Sequence, residues 1–149
     1  MRRILQYADH LRRLTHKSMQ PLGEELGLSQ LEMELLLFLR NNPEMNTARD
    51  AVAYRGFAKS NVSTAVEALE RKGWLAVEPD PHSRRLKRLR LRPEKGEELE
   101  RLSVCQNGIL SSLTSDFTPE EVETLRVLLA RMGRNAAQAL ERLEGSGRA

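Results

Sequence analysis

Between residues 59 and 92 the apolar periodicity changes once, from steps of three and four to strict alternation, and a glycine marks the change. Val62, Ala65, Val66 and Leu69 fall on one face of a helix over 59–72. Gly73 ends it, after Arg71 and Lys72, two cations that suit a C-terminal turn. WLAVE (74–78) then reads as a short strand. In LKRLRLR (86–92), Lys87, Leu89 and Leu91 take one parity and Arg88, Arg90 and Arg92 the other. That is a strand with one face buried by two leucines. The seven residues between, PDPHSRR (79–85), hold two prolines and make the turn region. A chain with this order must place a β-hairpin with a basic tip directly after a helix.

The segments upstream are helical. Residues 3–20 place Ile4, Tyr7, Ala8, Leu11, Leu14 and Met19 near helical spacing, and PLGEELGLS interrupts them. Ser29 followed by Glu32 is a capping-box pattern for a second helix carrying Leu31, Leu35, Leu36, Phe38 and Leu39. A short segment, 47–55, uses Ala48, Ala51 and Val52, and breaks at Gly56. Downstream, Pro93 opens a helix over 93–115 with Leu99, Leu102, Gln106, Ile109 and Leu113 at helical steps. Thr118, Pro119 and Glu121 start a last helix, whose stripe is Val122, Leu125, Leu129, Met132, Ala136, Ala139 and Leu143. The fold class is therefore mainly α with a small β-hairpin. One domain of 149 residues is organised as 1–28, 29–92 and 93–149.

Charge is uneven along that order. Residues 1–28 carry +2, residues 29–92 carry +4 and residues 93–149 carry −3. Six of the nine residues from Arg84 to Arg92 are cations. A clustered positive field attracts phosphate, so a polyanion is the first partner to consider. No apolar run approaches the roughly 18 residues of a membrane span, so no membrane association is expected. The N-terminus returns to charge too soon for a signal peptide, and Cys105, the single cysteine, has no intrachain partner; a cytoplasmic protein is expected.

Helix, short helix, glycine-containing turn, helix and hairpin is the order of a winged helix-turn-helix. With Val62, Val66 and Leu69 inward, the helix over 59–72 turns Ser60, Thr64, Glu67 and Arg71 outward, flanked by Asn61 and Ser63. Short polar side chains in the first turns suit a helix that enters a major groove. Asn61 matches an adenine edge, and Ser60, Ser63 and Thr64 match bases or phosphates. Ser60, Asn61 and Ser63 are also common helix-start residues; the preferred division makes Ser60 a cap and Asn61 or Thr64 a reader. Lys59 and Arg71 are phosphate contacts, and Glu67 is either a cytosine reader or, as preferred, a solvated carboxylate. On the hairpin, Arg84 and Arg85 are the candidates for a narrow minor groove, with Lys87 behind them. Arg88, Arg90 and Arg92 also fit an edge protected against strand addition.

LSQLEMELLLFL, KSNVSTAVEALERKGWLAVEPDPHSRRLKRLRLRPEKGEEL and their spacing resemble the winged helix-turn-helix of MarR-type transcription factors. The pattern S-x-V-S-x-x-V-x-x-L-E-x-K-G stands at Ser60 to Gly73. The family's wing motif D-P-x-D-R-R stands at Asp80 to Arg85, with two departures. Ser83 replaces an aspartate that orients the second arginine, here Arg85, and Arg92 replaces a threonine. The resemblance covers residues 29–100. It implies a dimeric DNA-binding regulator, most simply a repressor, with long terminal helices for dimerisation and a small-molecule or redox signal of unknown identity.

The terminal helices support the same picture by their apolar stripes. A helix of 23 residues is about 35 Å long, and a stripe of that length needs a second helix to bury it. A second copy of the chain is the economical partner, through Ile4, Leu11, Leu14, Leu125, Leu129, Met132 and Leu143; an intrachain bundle is the alternative. A dimer sets two reading helices about one DNA turn apart, roughly 34 Å, over a pseudo-palindromic site in double-stranded DNA. No cofactor is expected. His10, His16 and His82 make no metal-ligand spacing. No motif of an enzyme is present. A winged module for protein or RNA, and thiol sensing at Cys105, are the other readings.

Overall fold

The computed structural model describes residues 2–55 and 58–146, with the side chains of 2–5, 54–55, 84 and 144–146 outside that description. Ile4, Arg84 and the break at Gly56 therefore involve atoms beyond the described ones. The order is α1 (Arg2–Leu26), α2 (Gln30–Asn41), α3 (Ala48–Arg55), α4 (Lys59–Arg71), β1 (Leu75–Asp80) and β2 (Ser83–Leu91). A 3₁₀ turn (Pro93–Lys95), α5 (Gly96–Leu113) and α6 (Pro119–Ser146) follow. The fold is mainly α with a two-stranded antiparallel wing. The chain groups into two compact units, Met1–Ile109 and Leu110–Ala149.

In the first unit α2 lies at the centre, with Met33 and Leu35 to Leu39 all buried. Its start is the expected capping box: the Glu32 amide donates to Ser29 Oγ at 3.2 Å and the Ser29 amide to Glu32 Oε2 at 2.8 Å. Against it pack Val62 and Leu69 of α4, Trp74, Leu75 of β1, Leu89 of β2, and Leu99 and Leu102 of α5. Removing a leucine as buried as these costs about 2–5 kcal/mol. Lys95 covers the Trp74 ring at 5.1 Å.

α1 runs past the expected stop near residue 20, with Pro21 inside it. The proline forfeits one backbone hydrogen bond. Met19 is 1% exposed, and Leu22 and Leu26 pack on the core. Their burial offsets that loss. Gly23 allows the approach to α2, since a Cβ there would stand 2.8 Å from Met33 Cε. The helix ends where φ turns positive, at Gly27 (+66°), with Leu28 N–H donating to Gly23 O at 2.8 Å. The end of α4 repeats the device at Gly73 (φ +74°), with Trp74 N–H on Leu69 O at 2.9 Å.

Three further expectations are corrected. Ser60 is not the cap of α4: Ala58 is, and it offers no side-chain bond. Ser60 lies one residue inside the helix, so its hydroxyl faces out. α5 begins at Gly96, after the 3₁₀ turn that Pro93 opens; within it Gln106 keeps the expected spacing, half-buried, and accepts from Asn41 Nδ2 at 3.2 Å. The hairpin connection is two residues, Pro81 and His82, not seven. Pairing runs Leu75 to Leu91, Val77 to Leu89 and Pro79 to Lys87, then shifts so that Asp80 faces Ser83. The shift absorbs residues 84–86 as a bulge in β2, which lets both strands reach the tip.

In the second unit, Thr118 and Glu121 close the expected capping box of α6, with amide-to-side-chain distances of 2.8 and 3.3 Å. Along α6, Leu129, Met132 and Leu143 are more than half exposed within the single chain.

Candidate nucleic-acid interface

α4 is fixed by its inner face. Val62, Ala65, Val66 and Leu69 are buried, so every other residue from Lys59 to Thr64 is exposed. The Asn61 side chain makes no hydrogen bond among the described residues, and its amide group is free to pair. Thr64 donates its hydroxyl to Ser60 O at 3.1 Å, which leaves its methyl and oxygen lone pairs outward. The far end of the helix is pinned. Lys72 Nζ lies 2.7 Å from Gly27 O and 2.7 and 2.9 Å from the two oxygens of Glu32. One ammonium thus ties the end of α1, the start of α2 and the end of α4.

Between α3, α4 and the hairpin runs a groove of about 530 Å³. Val52, Val62, Val66, Val77 and Leu89 form its apolar floor; Arg49, Lys59, Ser63 and Lys87 stand among its walls, with Glu67 and Glu70. The fold therefore brings Lys59 and Ser63 of α4 beside Lys87 of β2. Among the described residues no carboxylate pairs with Arg49, Lys59 or Lys87. Ser60, Asn61 and Thr64 lie on the exposed side of the same helix end. Arg71, also exposed, is about 18 Å along the axis from Lys59 at 1.5 Å per residue, and does not join this cluster. Arg85 is exposed in the bulge. Arg49 went unremarked in the sequence, although turning Ala48, Ala51 and Val52 inward leaves it outward.

The wing holds a second arrangement that the sequence did not announce. Asp80 is 7% exposed. It accepts the His82 amide at 2.8 Å and Arg88 Nε at 2.6 Å. Arg88 Nη1 continues to Asn46 Oδ1 at 2.9 Å, and Leu89 N–H donates to Asn46 O at 2.7 Å. The His82 amide and then the Arg88 guanidinium hold the Asp80 carboxyl below its ordinary range, against the opposing effect of burial. Arg88 is thus engaged inward, while Arg90 is exposed and only 3.5 Å from Glu78. Ser83 carries no charge to offer Arg85.

Elsewhere, Leu11, Leu14, Leu129, Met132 and Leu143 are exposed in the single chain and Leu125 is half-buried. Cys105 is half-buried on α5, its thiol 3.5 Å from Ser18 O. Among the described residues no three His, Cys, Asp or Glu side chains converge as metal ligands, and no helix is long and apolar enough to cross a membrane.

Residues 26–86 match the model of the MarR family. No curated protein matches the sequence at a significant level. Several solved structures share the fold. A MarR family transcriptional regulator from Listeria monocytogenes, solved with a 26mer DNA, aligns over 95% of this chain and 93% of its own, with 16% identity and a TM-score of 0.84. A MarR protein from Peptoclostridium difficile aligns over 94% and 91%, with 20% identity and a TM-score of 0.81. A MarR transcriptional regulator from Methanosarcina mazei aligns over 93% and 99%, with 20% identity and a TM-score of 0.79.

Proposed function

The chain carries the winged helix-turn-helix core of the MarR family, and from that premise we propose that it is a homodimeric, sequence-specific DNA-binding regulator that represses from a pseudo-palindromic operator. The observation that carries the reading is the outer face of α4. It presents short polar side chains at one end, beside three cations without carboxylate partners among the described residues, on the same unit as the basic hairpin.

In this reading α4 enters the major groove by its first turns. Asn61 pairs with an adenine edge, and the Thr64 methyl meets a thymine methyl because its hydroxyl is already committed. Ser60 and Ser63 bond bases or phosphates. Lys59, Arg71 and, in addition, Arg49 contact phosphates and set register without reading sequence. Arg84, Arg85 and Lys87 bring the wing to the adjacent minor groove. The exposed apolar residues of α1 and α6 are covered by a second copy, since patches of that kind are uncommon on a lone soluble chain. The Listeria regulator's DNA-bound structure supports the partner. A small effector in the groove under α4 releases the operator by competing for Lys59, Ser63 and Lys87.

Selection of bound fragments from random duplex DNA tests the whole reading. A two-fold motif with half-sites about one turn apart is the expected result. A monomer in solution that ignores every duplex at low ionic strength overturns it.

A further inference from the structure

We propose that Asp80, Arg88 and Asn46 form a clasp that sets the wing's angle to the helical body, with Arg88 a positioning residue rather than a DNA contact. The inference deepens the DNA-binding reading and rests on it for the affinity measurement alone.

Each carboxylate oxygen of Asp80 has a different task. Oδ1 accepts the His82 amide and closes the two-residue turn at the tip. Oδ2 accepts Arg88 Nε, across the bulge, at 2.6 Å. Arg88 reaches on to Asn46 Oδ1, in the loop between α2 and α3. That loop also makes the Thr47 to Arg88 bridge and accepts the Leu89 amide. Immediately after it, Thr47 and Asp50 cap α3, the Thr47 hydroxyl donating to Asp50 Oδ2 at 2.6 Å. The tip turn, the bulged strand and the start of α3 are therefore one connected polar network. A bulge weakens local strand pairing, and Asp80 spans it. In this chain the residue two before the second wing arginine is a serine, without charge. The charge that holds this hairpin is therefore the buried Asp80 carboxylate, at the start of the turn.

A guanidinium that serves as a bridge differs from one that serves as a point charge. Lysine replaces the second and not the first, because only the planar fork reaches two acceptors at once. The test compares Arg88→Lys, Arg88→Met and Asp80→Asn with Lys87→Met, on full-length protein. Two measurements are made: amide exchange of His82 and Leu89, and affinity for the selected operator across a salt series.

The clasp predicts faster exchange at Leu89 in both Arg88 variants. It predicts an affinity loss of about tenfold in Arg88→Lys as well as Arg88→Met, with the salt slope unchanged, whereas Lys87→Met lowers the slope by about one. Asp80→Asn with Arg88→Met is no worse than either alone, as for two ends of one network. Full rescue of affinity by Arg88→Lys, or a lowered slope in Arg88→Met, overturns the proposal. So does unchanged exchange at Leu89. If the wild-type chain binds no duplex, the DNA reading fails, and exchange at His82 and Leu89 still decides the clasp. Arg88→Lys keeps the charge and the aliphatic stem, so it reports even if Arg88→Met unfolds.

Discussion

α4 and the hairpin line the same groove, yet they are held in different ways. α4 rests largely on carbon: Val62 and Leu69 are 1% and 0% exposed, and a charge ties its last turn. The base of the hairpin is also buried, through Leu75, Leu89 and the half-buried Leu91, but its outer part relies on the Asp80–Arg88–Asn46 bonds. Dispersion and burial fix a helix at many points, while three or four directional bonds fix a wing at a few. An element placed mainly by burial responds little to ionic conditions. A wing placed by charged hydrogen bonds is adjustable, and it is the part that pH or a changed loop will move first.

That contrast is exposed to measurement. Leu69→Ala has the largest expected effect, about 3 kcal/mol of unfolding free energy, because it opens a cavity where α4 meets the body. Urea unfolding followed by the Trp74 fluorescence checks it; a loss under 1 kcal/mol would show that α4 does not depend on burial. Asn61→Ala comes next. It is expected to leave stability unchanged and to remove about 2 kcal/mol of discrimination at one base pair in each half-site. Competition between matched and mismatched operators reads this directly, and a uniform loss across all sequences would return Asn61 to a supporting role.

Lys72→Met should cost less, about 1–2 kcal/mol. Its partner Glu32 is left buried with only the Ser29 amide, but Lys72 is 34% exposed and water takes up part of the difference. Thermal melts of this variant, with operator binding normal where the protein is folded, would keep the helix's placement apart from its stability.

Acidification has the smallest effect and falls on the wing. The folded-state value of Asp80 lies below its unfolded one, owing first to the His82 amide and then to Arg88. Its contribution is complete above the ordinary carboxylate range and is lost as pH falls through the lowered folded value. Protection of the Leu89 amide should therefore hold from neutrality downward and decline only in that acid window, with the decline absent in Asp80→Asn. A loss of protection already at neutral pH would instead remove Asp80 as the group responsible.

Local signals were legible wherever a side chain acts on its own turn. The capping boxes of Ser29 with Glu32 and Thr118 with Glu121 form as the spacing predicts, because both partners sit within one helical turn. Gly73 ends α4 for the same local reason. Pro21 misled, since the cost of a proline is local and the gain from burying Met19, Leu22 and Leu26 is not. Ser60 misled too: any of several polar residues satisfies a start pattern, and the backbone chose Ala58. Arg49, Lys59 and Lys87 come from three elements, and no spacing in one dimension brings them to one groove.

Periodicity alone determined that this chain would be helical with a basic hairpin after α4, because each alternation of apolar residues dictates which face of its own element is buried. Which polar groups meet across elements was decided only in three dimensions. Asp80 with Arg88 across a bulge, Arg88 with Asn46 across 42 positions and Lys72 with Glu32 across 40 are such pairs. Hydrogen bonds act over about 3 Å, and only the packed core brings such distant residues within that range.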